Sequence, residues 1–424
     1  MDLQPPRGTV DLLPPEAGRM RALYELAAKV AHLCGYRYVE TPAFEQTELF
    51  SRTSGETSDV VRKEMYTFED RGGRLLTLRP EATAPIVRAF LERGKGLSTP
   101  FKVFTIGTMW RYGRPQAGRL REFRQFDIEV IGDATPAADV EVVAVGDRFL
   151  RSAQIGPFQL QISSIGDATC RPAYREELLR FLRANRDRLS DEHRDRFEEN
   201  PMRVLDCKDE HCRAVAAEAP KIVDRLCADC QKHFDEVRRG LNEEGIESVV
   251  TPTLVRGLDY YTRTTFEWVT GQLAEAQNSV GGGGRYDGLA EVLGGPPTPG
   301  VGFAIGLERV HLAWLHLNPD QSSIGAEGPD AFVVWVDESL WSRARDLVRT
   351  LRQAGISTDI SSDHRPLSRQ LKMADGAQAR YAVILGAKES RAGTVTLRRL
   401  SDGHQEELSL AQAVERLTAE RGSG

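Results

Sequence analysis

The spacing of short β-rich runs most restricts how this chain can fold. Residues 101–106, 126–131, 158–162, 265–269 and 301–305 are rich in Phe, Val, Ile and Thr, and several are separated by long irregular or helical stretches. That spacing disfavours a strict βαβ repeat and predicts an antiparallel sheet with helices laid on it. Ahead of these runs, Met20, Leu23, Ala27, Val30 and Cys34 recur at three- and four-residue steps, and Gly35 follows where a helix cap belongs. The pattern predicts an amphipathic helix packed on a core.

A chain of 424 residues is too long for one ordinary core, so two large units with an insertion are expected. At about 170–248 the composition becomes charged and helix-favouring, most clearly at 175–188 and 229–242, and this stretch reads as the insertion. Residues 317–330, rich in Asn, Pro, Ser and Gly, read as a linker. Beyond it, apolar strands at 331–336 and 381–385 alternate with helical windows at 340–353 and 367–377. This alternation predicts a small α/β domain with a largely parallel sheet. The expected division is residues 1–325 and 326–424.

With 40% hydrophobic and 28% charged residues the composition is that of a soluble globular protein. Neither a charged leader with an apolar stretch nor a run of about 18 apolar residues appears, so a cytoplasmic location is expected and a membrane partner is not. A formal charge of −6 gives no global basic footprint, and no DNA partner is expected. Arginine and lysine gather locally at 111–124 and 365–380, which leaves room for a large RNA held on local stripes.

Six cysteines in so long a chain point to reduced thiols rather than a disulfide scaffold. Cys207, Cys212, Cys227 and Cys230 follow the spacing C-x4-C, fourteen residues, then C-x2-C, with His211 and His233 beside them. They are a candidate zinc set; buried thiols packing in a helical segment are the plainer alternative.

Five segments carry chemical interest. In the run 124–130, strict alternation puts Gln125, Asp127 and Glu129 on one strand face and Phe126, Ile128 and Val130 on the other. The polar face suits a pocket for a cationic or hydrogen-bonding ligand, or merely faces solvent. Glu81, Ala82 and Thr83 follow Pro80 at a strand-to-helix turn, where they read equally as a binding turn and as a helix cap. The loop from Trp110 to Arg119 carries Arg111, Arg114 and Arg119 among two glycines and a proline: a polyphosphate clamp or a solvated basic loop. Gly281, Gly282, Gly283 and Gly284, leading to Arg285 and Tyr286, fit neither G-x-x-x-x-G-K-[ST] nor G-x-G-x-x-G, and read as close backbone approach to a ligand or as a hinge. Gly306, Leu307, Glu308 and Arg309 run from a strand into a helix, where the arginine suits a phosphate or a surface ion pair.

The order of these segments carries more than any one alone. The Trp110-Arg111 loop followed by Phe123, and the later Gly306-Leu307-Glu308-Arg309, resemble motifs 2 and 3 of class II aminoacyl-tRNA synthetases. Between them, Leu254-Val255-Arg256-Gly257-Leu258-Asp259-Tyr260-Tyr261 is similar to the signature peptide of histidyl-tRNA synthetases. Gly8-Thr9-Val10-Asp11-Leu12-Leu13-Pro14, the motif 1 region at Thr41-Pro42 and Gly284-Arg285-Tyr286-Asp287-Gly288 match the same family. The resemblance implies an α+β catalytic domain of the class II type with an antiparallel sheet, a helical insertion and a C-terminal α/β anticodon-binding domain. It implies ATP-dependent activation of L-histidine to histidyl-adenylate, with pyrophosphate released, then transfer to the 3′ end of tRNA-His by a homodimer. It implies Arg111 on the α-phosphate, Arg309 on the γ-phosphate, with Arg119 and Glu308 also at ATP, and Arg256 on both the histidine carboxylate and the α-phosphate; Mg²⁺ bridges the phosphates. By the same likeness Glu81, Thr83 and Gln125, with Ala82 in the same turn, receive the α-ammonium group, Glu129 and Tyr261 read the imidazole, and Tyr260 and Tyr286 wall the pocket. One position departs: where family motif 2 commonly has a glutamate two residues after its arginine, this chain has Gly113. The strongest competing reading is the regulatory subunit of ATP phosphoribosyltransferase, a synthetase-like protein that does not charge tRNA. Such paralogues usually lose the signature peptide and the C-terminal domain, and this chain carries both patterns.

Overall fold

Strands alternate with helices through the first three-quarters of the chain: β1 (Arg37–Tyr38), β2 (Phe44–Gln46), β3 (Thr67–Glu69), β4 (Leu75–Leu78), β5 (Phe101–Trp110), β6 (Glu122–Ile131), β7 (Phe158–Ser164), β8 (Ser248–Val250), β9 (Thr262–Thr270), β10 (Ser279–Arg285) and β11 (Gly300–Gly306). The structure is a computed structural model that describes residues 3–54, 63–207, 209–255, 260–274, 278–319 and 328–421. Eight strands form one sheet in the order β1-β5-β6-β11-β10-β9-β7-β8. Its interior pairs are all antiparallel, as the run spacing predicts, and only the edge pairs β1/β5 and β7/β8 are parallel. Strands β2, β4 and β3 make a separate small antiparallel sheet.

The alternation in β6 decides what the large sheet does. Phe126, Ile128 and Val130 enter a core with Met20, Ala27 and Val30 of the helix Glu16–Leu33, with Phe149 of the helix Pro136–Ser152, and with Phe234 and Val237 of the helix Ala228–Glu243. One sheet face is thereby sealed by helices. On the other face, a second core joins the helix Thr83–Arg93 to the helices Arg171–Ala184 and Glu210–Glu218 of the insertion, and includes Tyr260, Tyr261 and Tyr286.

The glycine run is not a hinge: it is a central strand, β10. Gly281 to Gly284 pair with Ile305 to Gly302 on one side, and a Cβ on Gly283 would lie 2.0 Å from the Gly302 carbonyl oxygen. The glycines let neighbouring backbones close up, and their lack of side chains hides the strand from any propensity-based reading.

The chain divides into two compact units, one built mainly from Arg19–Gln321 and the other mainly from Ser322–Gly424. In the second, β12 (Ala331–Trp335), β13 (Thr358–Ile360), β14 (Tyr381–Leu385), β15 (Thr394–Arg399) and β16 (Gln405–Ser409) are ordered β13-β12-β14-β15-β16. The expected largely parallel sheet is mixed: β13, β12 and β14 are parallel, while β15 and β16 add antiparallel strands. Ala331, Val333 and Trp335 pack under the helices Trp341–Gln353 and Leu410–Arg421, and Phe332 and Val334 pack against Ala374 on the opposite side. Burial on both faces explains the unbroken apolar run at 331–335; Val336, past the strand's end, is exposed. Among the described residues no helix is long and apolar enough to cross a membrane.

Candidate active site

On the polar face of β6, Glu129 is fully buried, Asp127 is 1% exposed and Gln125 is 7% exposed. The solvated-strand alternative is therefore excluded. Glu129 faces Gly302 of β11 in register, and a Cβ at that glycine would fall 1.9 Å from a Glu129 carboxylate oxygen. Thr83 Oγ1 donates to Glu129 Oε1 at 2.6 Å, and the Tyr286 hydroxyl donates to Oε2. Burial pushes the Glu129 carboxyl up to about 8, against the pull of these two donors.

Glu81 acts as a helix cap and also faces the cleft. Its carboxylate accepts the N–H groups of Thr83 at 2.7 Å and Ala84 at 3.0 Å, so it caps the helix Thr83–Arg93 while lining the cleft. Ala82 is fully buried in the apolar cluster around Tyr260, Tyr261 and Tyr286, and supplies packing. Asp127, quoted in the strand pattern but given no role there, lies beside Gln125 on the cleft. Burial raises its carboxyl well above the carboxylate range, with Glu129 and Glu81 adding to the rise. Among the described residues Gln125 Oε1 and Asp127 Oδ2 have no hydrogen-bond partner although buried. Two bare acceptors beside Glu81 suit an ammonium group.

The tyrosines close one side, with ring centroids 4.8 Å apart for Tyr260 and Tyr261 and 6.0 Å apart for Tyr260 and Tyr286. Arginines line the other parts of the same cleft, whose volume is about 360 Å³. Arg111 Nε donates to the Pro80 carbonyl at 2.8 Å, and its guanidinium lies 5.3 Å from the Phe123 ring centre. Arg309 donates to the carbonyls of Gly118 at 3.0 Å and Ser279 at 2.6 Å. Glu308 accepts the backbone N–H and the guanidinium of Arg124, which ties the start of the helix Leu307–Leu317 to β6. Arg256 lies outside the described residues.

Glu64 was not singled out from the sequence. Its carboxylate pairs with Arg119 at 2.5 Å, and its carbonyl accepts Tyr112 N–H at 2.7 Å. A Cβ on Gly113 would sit 3.4 Å from Glu64 Oε1 and 3.2 Å from Arg119 Nε. A carboxylate thus stands beside position 113 but arrives from 49 residues upstream (113 − 64), a relation that local spacing cannot reveal.

The candidate zinc set is not assembled as expected. Cys227 and Cys230 gather with Asp167 and Cys170, whereas Cys207 and Cys212 gather with His193. His233, buried, instead bonds Asp139 at 3.3 Å.

Comparison with known proteins agrees with this geometry. The family model for histidyl-tRNA synthetase matches residues 8–310, and that for the anticodon binding domain matches residues 330–420. A histidine–tRNA ligase of Moorella thermoacetica is 47% identical over 420 residues, covering 99% of each chain. One of Pelotomaculum thermopropionicum is 46% identical over 409 residues, covering 96% of this chain and 95% of its own. The apo histidyl-tRNA synthetase of S. aureus superposes with a TM-score of 0.80 at 32% identity, covering 98% of this chain and 99% of its own. With buried carboxylates and arginines sharing one cleft on an antiparallel sheet, and with likeness along almost its whole length, this chain belongs to the histidyl-tRNA synthetase family.

Proposed function

We propose that this chain activates L-histidine with MgATP and passes the histidyl group to the 3′ end of tRNA-His, as a cytoplasmic homodimer with the region of Thr41 and Pro42 at its interface. The reading rests on one observation: a fully buried carboxylate, Glu129, is held by Thr83 and Tyr286, and both of these line a cleft shared with Arg111, Arg119 and Arg309. The histidine carboxylate attacks the α-phosphate, the bond to pyrophosphate breaks, and a terminal ribose hydroxyl of the tRNA later displaces AMP. No protein nucleophile is required, so the protein supplies position and charge. Glu81, Gln125 and Asp127 receive the ammonium group, and Glu129 with Tyr261 reads the imidazole. Arg111 and Arg256 meet the α-phosphate, where charge develops, and Arg309 meets the γ-phosphate. Mg²⁺ travels with the nucleotide, which suits an ion that keeps its waters and needs few protein ligands.

ATP–pyrophosphate exchange with each of the twenty amino acids tests the proposal. Exchange with histidine alone is the expected result; exchange with none would overturn it in favour of a non-catalytic paralogue. The two units should divide the work, the second reading the anticodon. Removing the residues after Asp330 is expected to leave exchange within about twofold and to slow aminoacylation at least about tenfold, since only the second step needs the tRNA held. Equal loss of both rates would show that the division is wrong.

Glu64 holds Arg119 in place of a motif 2 glutamate. Glu64→Ala should raise the KM for ATP roughly tenfold, in keeping with loss of one charge-assisted contact. Adding Gly113→Glu should restore part of the loss; no recovery, or no initial loss, would refute the substitution of one carboxylate for the other.

A further inference from the structure

Three thiols and a carboxylate meet where the insertion leaves the catalytic sheet. Asp167 and Cys170 follow β7, and Cys227 and Cys230 open the helix that returns the chain toward β8. One ligand atom from each residue lies within 4.8 Å of all the others. Tetrahedral zinc with bonds of about 2.3 Å to sulfur and about 2.1 Å to oxygen separates its ligand atoms by roughly 3.4–3.8 Å. Asp167 Oδ1 is 3.7 Å from Cys170 Sγ and 3.9 Å from Cys227 Sγ, close to that edge length. All six cysteines are free thiols, so disulfide pairing does not account for the cluster.

The backbone supports the same arrangement. Both pairs are three residues apart and sit at helix starts: Asp167 and Cys170 lead into Arg171–Ala184, with Cys170 as its N-cap, and Cys227 is the N-cap of Ala228–Glu243 with Cys230 in its first turn. Gly166 adopts φ +65°, and a Cβ there would strike Cys170 Sγ at 2.4 Å. The Asp167 N–H points at Cys170 Sγ at 3.4 Å, and the other Asp167 oxygen lies 3.5 Å from Arg263. A dication with three thiolates and a carboxylate carries two net negative charges, which Arg263 partly offsets.

We propose that Asp167, Cys170, Cys227 and Cys230 bind one structural Zn²⁺, fastening the insertion to the catalytic sheet. On binding, the three thiols give up their protons to solvent. Four protein ligands close the site, so it carries no reaction of its own. Its effect reaches the pocket through Arg171, next to Cys170 in sequence, which donates to the Tyr261 carbonyl at 2.9 Å.

Elemental analysis of protein made and purified with Zn²⁺ should find about one zinc per chain. X-ray absorption at the zinc edge should count three sulfur neighbours and one oxygen neighbour, a measurement that needs no variant. Cys227→Ser/Cys230→Ser should lose the metal, and Cys207→Ser/Cys212→Ser should keep it. Zinc-free wild-type protein, a nitrogen in the first shell, or metal lost only with Cys207 and Cys212 would overturn the proposal.

Discussion

Glu129→Gln is expected to raise the KM for histidine by about two orders of magnitude and to leave the KM for ATP within about twofold. The loss is that of a buried hydrogen-bond partner for the ligand, worth about 1–3 kcal/mol, with a ligand donor left unpaired in the altered site. An amide keeps the volume, and its oxygen can still accept from Tyr286, so the fold should persist. The same substitution has a stability signature. Because burial lifts the Glu129 carboxyl to about 8 in the folded chain, the native state holds a proton that the unfolded state has released between roughly pH 4.5 and 8. Wild-type stability from this group is therefore full below that window and lost as pH rises through about 8. The glutamine variant, neutral throughout, should match the wild type in thermal midpoint near pH 5 and exceed it at pH 9. An unchanged histidine KM would remove Glu129 from the imidazole, and equal midpoints at pH 9 would show that the carboxylate is not strained by burial.

Asp139→Ala should cost about 3–5 kcal/mol of stability, the range for breaking a buried ion pair from one side. Asp139 and Arg285 are both fully buried and bonded to each other through two guanidinium nitrogens, with His233 on the second carboxylate oxygen. Arg285 also reaches the carbonyls of Asp133 at 2.9 Å and Thr135 at 3.0 Å, which anchors β10 to the start of the helix Pro136–Ser152. Without Asp139 a guanidinium stays in the core with, among the described residues, Asp287 left as its ion-pair partner. Denaturation of the variant, read as a drop in midpoint, checks this; a change under about 1 kcal/mol would mean that Asp287 and the carbonyls suffice. Tyr286 follows Arg285 and holds Glu129, so histidine binding should fall in the same variant.

What the sequence disclosed follows from the length scale of each feature. Period two placed Gln125, Asp127 and Glu129 on one face because alternation is local to a strand. It said nothing of what lay above that face, since burial there depends on the helix Thr83–Arg93 and on Tyr286, 157 residues from Glu129. The run spacing disclosed the antiparallel sheet, whereas β10 was concealed by its own glycines. Strands β15 and β16 were overlooked because one face of each is half-exposed and polar. Cysteine spacing suggested one cluster where the chain builds two, because the partners of Cys227 and Cys230 lie about sixty residues upstream, beyond the reach of a spacing rule. Glu64 belongs to the same class of contact.

The inner wall behind Glu129 is main chain, contributed by Gly302 with Gly283 pressed against it. Such a wall cannot be recontoured by exchanging a side chain, since every substitution at either glycine adds bulk to a place already filled. On the proposed role of Glu129, drift toward a different amino acid would also have to replace the carboxylate on which the present substrate depends. Few gradual routes lead out of that position, and the pocket's choice of substrate should be among the slowest features of this chain to change.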